Sequence, residues 1–165
     1  MARTASVLSV LLALLISTIP AFAQQRSLLV GSWAIDVSKL TMPSPPKSVT
    51  LVLSDVGGGK YEISVKIVDH DGTRRQGEST FKPDGTPFRG AGNTDYDIVS
   101  ITMPSQRILV MGGGFAGHPA NTRVLSLSDD GKYMIETVVS HTPDGTPHTR
   151  VDLWTRSKSP PPSHR

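Results

Sequence analysis

The chain has 165 residues and no cysteine, and its 17 Lys and Arg against 14 Asp and Glu give a formal charge of +3. Without cysteine there are no disulfides, no thiolate metal sites, no thiol nucleophile and no lipid-attachment cysteine. The basic excess is small and not gathered into a run, Arg74-Arg75 being the densest pair, so no nucleic-acid surface is expected.

Residues 1–23 read as an export signal. Met1-Ala2-Arg3 gives a positive start, Val7 to Ile19 an apolar stretch, and Ala21-Phe22-Ala23 the small-x-small pattern that signal peptidase cuts. A membrane-spanning helix needs about 20 predominantly apolar residues, and this run is shorter and stops at Pro20. The expectation is cleavage after Ala23, a secreted or periplasmic location, and no membrane span in the mature chain. Residues 24–157 then suit a single domain, and residues 158–165 form a Pro/Ser-rich tail with nothing to bury, expected to be disordered.

Ser32 to Val37 predicts the first strand, entered through Gly31-Ser32-Trp33. Thr41 to Pro46 is too proline-rich to donate ladder hydrogen bonds and predicts an ordered loop over one end of the fold. Val49, Leu51 and Leu53, then Tyr61, Ile63, Val65 and Ile67, recur at every second position and predict two half-buried strands. Arg74 to Lys82 is a polar strand, suited to an edge or to a poorly filled part of the interior. Thr86 to Arg89 is short. Tyr96 to Met103 sets Val99, Ile101 and Met103 on one face, and Ile108 to Met111 is apolar on both.

The glycine-rich stretch from Gly112 to Asn121 reads as a mobile connection at a barrel mouth, with gating as its functional possibility. It resembles a phosphate loop only superficially, since no Gly-Lys-Ser/Thr and no helix follow it. Arg123 to Leu127, Tyr133 to Ser140 and Thr149 to Thr155 complete the strands. Asp71-Gly72, Asp84-Gly85, Asp130-Gly131 and Asp144-Gly145 fall between them, and Asp-Gly between alternating runs is a strong signal for a tight hairpin. With eight to ten strands in sequence and no helical periodicity, the fold class is all-β. A single antiparallel up-and-down barrel is the first reading, because closure removes the exposed edges, and a two-sheet sandwich is the second.

Gly31-Ser32-Trp33, early in the first strand, resembles the Gly-x-Trp opening of lipocalins and related calycin barrels. More closely, the chain is similar to small exported bacterial lipocalin-like proteins of unassigned activity, through Gly31 to Lys39, Pro43 to Thr50, Asp69 to Thr73 and Asp129 to Ile135. The resemblance implies that Trp33 closes one barrel end and that a basic residue near the C-terminus, here Arg156, packs across its ring. Avidin-like barrels are a poorer match, since their sites are walled by several tryptophans and only Trp33 and Trp154 occur here.

No catalytic constellation is identifiable, so no enzyme is expected. The serines, histidines and aspartates form no recognisable triad arrangement, and the carboxylates are scattered in turns. Asp69-His70-Asp71 lacks paired-histidine spacing and reads as a solvated hairpin corner, so neither a metal nor a cofactor is expected. Arg74, Arg89 and Arg123 lie in or beside strands, where an inward guanidinium would hold a ligand and an outward one would be solvated.

The functional reading is an exported, non-catalytic barrel that binds a small, partly apolar ligand inside. Its candidate wall residues are Val65, Ile67, Val99, Ile101 and Ile135, with Arg123 as anchor. The second reading is a filled barrel acting through its loops as a protein-interaction or inhibitor module. Ligand identity, oligomeric state and partner are not legible.

Overall fold

The computed structural model describes residues 26–142 and 144–157. The export signal expected over 1–23 and the tail expected over 158–165 lie outside them.

Among the described residues ten antiparallel strands form one sheet in up-and-down order. They are β1 (Gly31–Ile35), β2 (Ser48–Gly57), β3 (Lys60–Val68), β4 (Arg74–Phe81), β5 (Phe88–Arg89), β6 (Ile98–Ser105), β7 (Ile108–Phe115), β8 (His118–Leu127), β9 (Tyr133–His141) and β10 (Pro147–Arg156). The first strand pairs with the last, Trp33 opposite Arg156 and Ile35 opposite Trp154, which curls the sheet into a barrel. The edges left over are β4 and β5. Residues 90–96 clasp that seam without a ladder. Asn93 donates its N–H to the Gln76 carbonyl (3.0 Å) and accepts the Gln76 N–H on its side chain (2.7 Å), while Arg75 reaches Asp95 (2.6 Å). The barrel is therefore nearly closed, and the sandwich alternative falls away.

Three of the four Asp-Gly pairs occupy hairpin connections, β3–β4, β8–β9 and β9–β10, whereas Asp84-Gly85 turns the chain between β4 and β5, which do not pair, so the hairpin expected there is absent. Each glycine has positive φ, and each aspartate accepts the backbone N–H two residues on, from Thr73, Thr86, Lys132 and Thr146 at 2.8–3.1 Å. This self-bonding by Asp is the physical reason that it recurs at these corners.

Two further local expectations change. The first strand ends at Ile35, because Asp36 accepts the Ser38 N–H and Val37–Lys39 form a 3-10 turn. The Gly112 run is no connection: its glycines lie inside β7 and pair with β6 and β8, and the chain reverses at Ala116-Gly117. Gly113 is needed because a Cβ there would meet the Tyr96 ring at 2.4 Å.

One barrel end is solid. Leu29, Trp33, Leu53, Tyr61 and Phe81 are buried there, with the Tyr61, Phe81 and Phe88 rings stacked in series. Trp33 is fully buried and donates Nε1–H to the Leu29 carbonyl at 2.9 Å. The Arg156 guanidinium lies 4.1 Å from the Trp33 ring centroid, a cation–π contact. It also donates to the carbonyls of Leu28, Val30 and Gly131, so it ties the incoming chain to the β8–β9 turn. That placement accounts for Gly31 at φ +141°, where a Cβ would sit 2.4 Å from Arg156 Nη1. The Gly-x-Trp pattern thus gives a large ring as plug and a glycine that lets the arginine reach across.

Candidate ligand cavity

Alternation along ten strands sends every second side chain inward, and a barrel of eight or more strands has room for side-chain filling or one small ligand. Above the solid end the inward residues do not meet. They enclose a cavity of about 280 Å³, near the lower end of small-molecule sites at about 300–1,000 Å³. Its mouth lies at the far end of the barrel. There the lining comprises Met42, Ser44 and Pro46 of the proline-rich segment together with Asp69, Arg75 and Asp95. The segment overhangs this end as an ordered loop, and its prolines explain why it does not extend the sheet.

The walls differ in character around the barrel. On β2, β3, β6 and β7 the lining is apolar and includes Val65, Ile67, Val99, Ile101 and Met111. Val65, Ile67, Val99 and Ile101 therefore sit where the sequence reading puts a wall, and Arg123 lines the cavity too. Ile135 does not. It is 51% exposed on the outer face, because Met134, Glu136 and Val138 take the inward positions of β9. Arg74 and Arg89 are also exposed.

On β8, β9 and β10 the lining is ionic. Arg123 Nη1 donates to Glu136 Oε1 at 2.9 Å, and Trp154 Nε1 donates to Glu136 Oε2 at 2.9 Å. Arg123 Nε reaches the Tyr96 hydroxyl (2.8 Å), which also bonds Asn121, and the guanidinium stands 5.7 Å from the Tyr96 ring centroid. One strand over, Arg150 Nε grips both oxygens of Asp152 at 2.8 and 2.9 Å. Glu136 and Asp152 are directly opposite in the ladder and only 2% and 1% exposed. Two buried carboxylates side by side repel unless each has its own cation, which is the arrangement here.

At the mouth Arg75 bridges two acids, bonding both oxygens of Asp69 (2.7 and 2.9 Å) and one of Asp95 (2.6 Å). The Arg75 hydrogen bonds hold the Asp69 carboxyl below its ordinary value. Burial works against the charge of Arg123, but Glu136 and Tyr96 outweigh it and the guanidinium is held more firmly protonated than usual. Asp71 is committed to Thr73, and among the described residues no cluster of three His, Asp or Glu is placed to hold a metal.

Glu136, Arg150, Asp152, Arg75 and Tyr96 are absent from the sequence-derived candidates. The available signal was periodicity: Glu136 alternates with Met134 and Val138, and Asp152 with Trp154. A charge sharing a face with large apolar residues is a candidate for burial with a partner.

No family model matches this chain, and no curated protein matches it in sequence. Solved structures do match in shape. A mutant of the fluorescent protein UnaG, with one asparagine replaced by alanine, aligns with a TM-score of 0.54 at 18% identity, over 80% of this chain and 98% of that one. Wild-type UnaG aligns with 0.51 at 19% identity, over 78% and 97%. The fold is calycin-like. At this identity the likeness speaks for the barrel and not for its contents, so the lining residues carry any functional argument. Among the described residues no helix is long and apolar enough to cross a membrane.

Proposed function

We propose that this chain is an exported, non-catalytic barrel that takes up one small, partly apolar molecule in its interior. The observation that carries this reading is the cavity of about 280 Å³, open at one end and walled by apolar side chains on one side and ion-paired ones on the other. Concave, mostly apolar sites with a few fixed polar groups are the usual form of small-molecule sites. Val65, Ile67, Val99 and Ile101 would hold the apolar body of the ligand and Arg123 would orient its polar end. The calycin-like fold of the solved neighbours, a fluorescent protein among them, supports the barrel on which the reading depends. The rival, a filled barrel acting through its loops, is disfavoured by the same cavity.

Export rests on the sequence of residues 1–23 and is part of the proposal. Native mass spectrometry of protein recovered from the extracytoplasmic fraction tests both parts together. The expected spectrum shows a chain beginning at Gln24 and a fraction carrying one small apolar adduct. Titration with Nile red should then saturate at one dye per chain, and Val65→Trp, which fills the lumen, should weaken it at least about tenfold. An unprocessed chain contradicts export. Absence of both adduct and saturable dye binding contradicts the ligand reading.

A further inference from the structure

We propose that the cavity selects molecules whose polar end is an uncharged hydrogen-bond acceptor, such as an amide or ketone oxygen, over carboxylates, phosphates and amines. The inference rests on the ligand-binding reading above and names the chemistry of the ligand's polar end. It follows from how the charges of the lining are already committed. Arg123 is paired with Glu136, Arg150 with Asp152, and Arg75 with both Asp69 and Asp95. These three cations share the lining with five carboxylates, the fifth being Glu78 on the exposed face of β4, so the lining carries no surplus positive charge.

An anionic head entering this space would leave its water without meeting an uncompensated cation. Desolvating a charge is recovered only by a well-placed opposite charge and further hydrogen bonds. A cationic head fares no better in the interior. Both Glu136 oxygens are used, by Arg123 and Trp154, and both Asp152 oxygens by Arg150, with side-chain exposures of 3% and 0%.

What remains to be offered is donors. Arg123 Nη2 and Arg150 Nη1 have no hydrogen-bond partner among the described residues. No buried side-chain nitrogen or oxygen among those residues lacks a partner, so these two amino groups are reachable by solvent-sized groups, and both arginines line the cavity. A neutral oxygen gains a charge-assisted hydrogen bond from such a donor without adding charge to the lumen. The opposite apolar wall of Val65, Val99, Ile101 and Met111 takes the hydrocarbon.

The test is displacement of Nile red at neutral pH by three probes of one chain length: decanamide, decanoate and decylamine. Decanamide is expected to bind at least about tenfold tighter than either charged probe. Glu136→Gln leaves the Arg123 cation without its counter-charge, and should move the decanoate-to-decanamide ratio at least about tenfold toward decanoate. Asp152→Asn does the same at Arg150 and serves where circular dichroism shows Glu136→Gln to be poorly folded. Decanoate or decylamine matching decanamide on the wild-type protein overturns the inference and leaves ligand binding standing, as does an unchanged ratio in a folded variant. Failure of Nile red and all three probes to bind overturns the ligand-binding reading itself.

Discussion

Arg123 has contacts of three kinds: an ion pair to Glu136, a hydrogen bond to the Tyr96 hydroxyl, and cation–π proximity to the Tyr96 ring. Removing the cation alone strands a carboxylate that is 2% exposed. Arg123→Met is therefore expected to destabilise the protein by about 3–5 kcal/mol, the cost of leaving a buried charge uncompensated. Arg123→Met with Glu136→Leu removes both charges and should recover most of that loss, although Trp154 then loses its acceptor, at about 1–3 kcal/mol. Urea denaturation of the three proteins checks this, and a double variant no more stable than the single one would contradict it. At this scale the sequence is least legible. In β9 Ile135 and Val139 alternate with Met134, Glu136 and Val138, so either face has apolar members. Excluding a glutamate from the interior favours the wrong one. Only Arg123 on β8 and Trp154 on β10, the two strands flanking β9, make Glu136 tolerable inside, and those are contacts between strands that periodicity does not carry.

The Asp-Gly corners are the elements most legible from sequence, because their chemistry is local: an aspartate bonding two residues ahead and a glycine free to take positive φ. They also predict the response to acid. The Thr73 and Thr86 backbone N–H groups hold Asp71 and Asp84 below the ordinary carboxyl value, and the Ser128 and Thr142 side chains do so first for Asp130 and Asp144. Folded carboxyls with depressed values bind fewer protons than the unfolded chain, which titrates near 3.8. The stability they contribute is present above that value and is lost as pH falls through the folded values. Urea midpoints should stay level from neutral pH to about 5 and drop below about pH 4, and a midpoint that rises on acidification would contradict the assignment. The glycine run of β7 shows where element-level reading fails. Glycines in a row look like a loop until Tyr96 is known to lie across Gly113, a contact made by a residue from outside the strand.

At the scale of the whole molecule, closure follows from strand count and turn spacing, and β1 pairs with β10 as a closed meander requires. The Gly31-Ser32-Trp33 opening and Arg156 sit together at one end, where ring and guanidinium complete the plug. The hollow above it was foreshadowed only by composition, since 5% aromatic residues supply few large fillers. Which side chains leave it open depends on strand tilt and on the clasp of Asn93 across the β4–β5 seam, neither of which has a local signature. Ligand binding depends on that hollow and on its apolar wall. Diffraction from crystals of the protein pressurised with xenon tests it most directly, because apolar cavity walls attract the gas, and here one side of the cavity is apolar. Xenon density is expected against Val65, Val99, Ile101 and Met111, on the side away from Arg123 and Arg150. A lumen in which those four side chains meet the opposite wall, with no xenon between them, would contradict it.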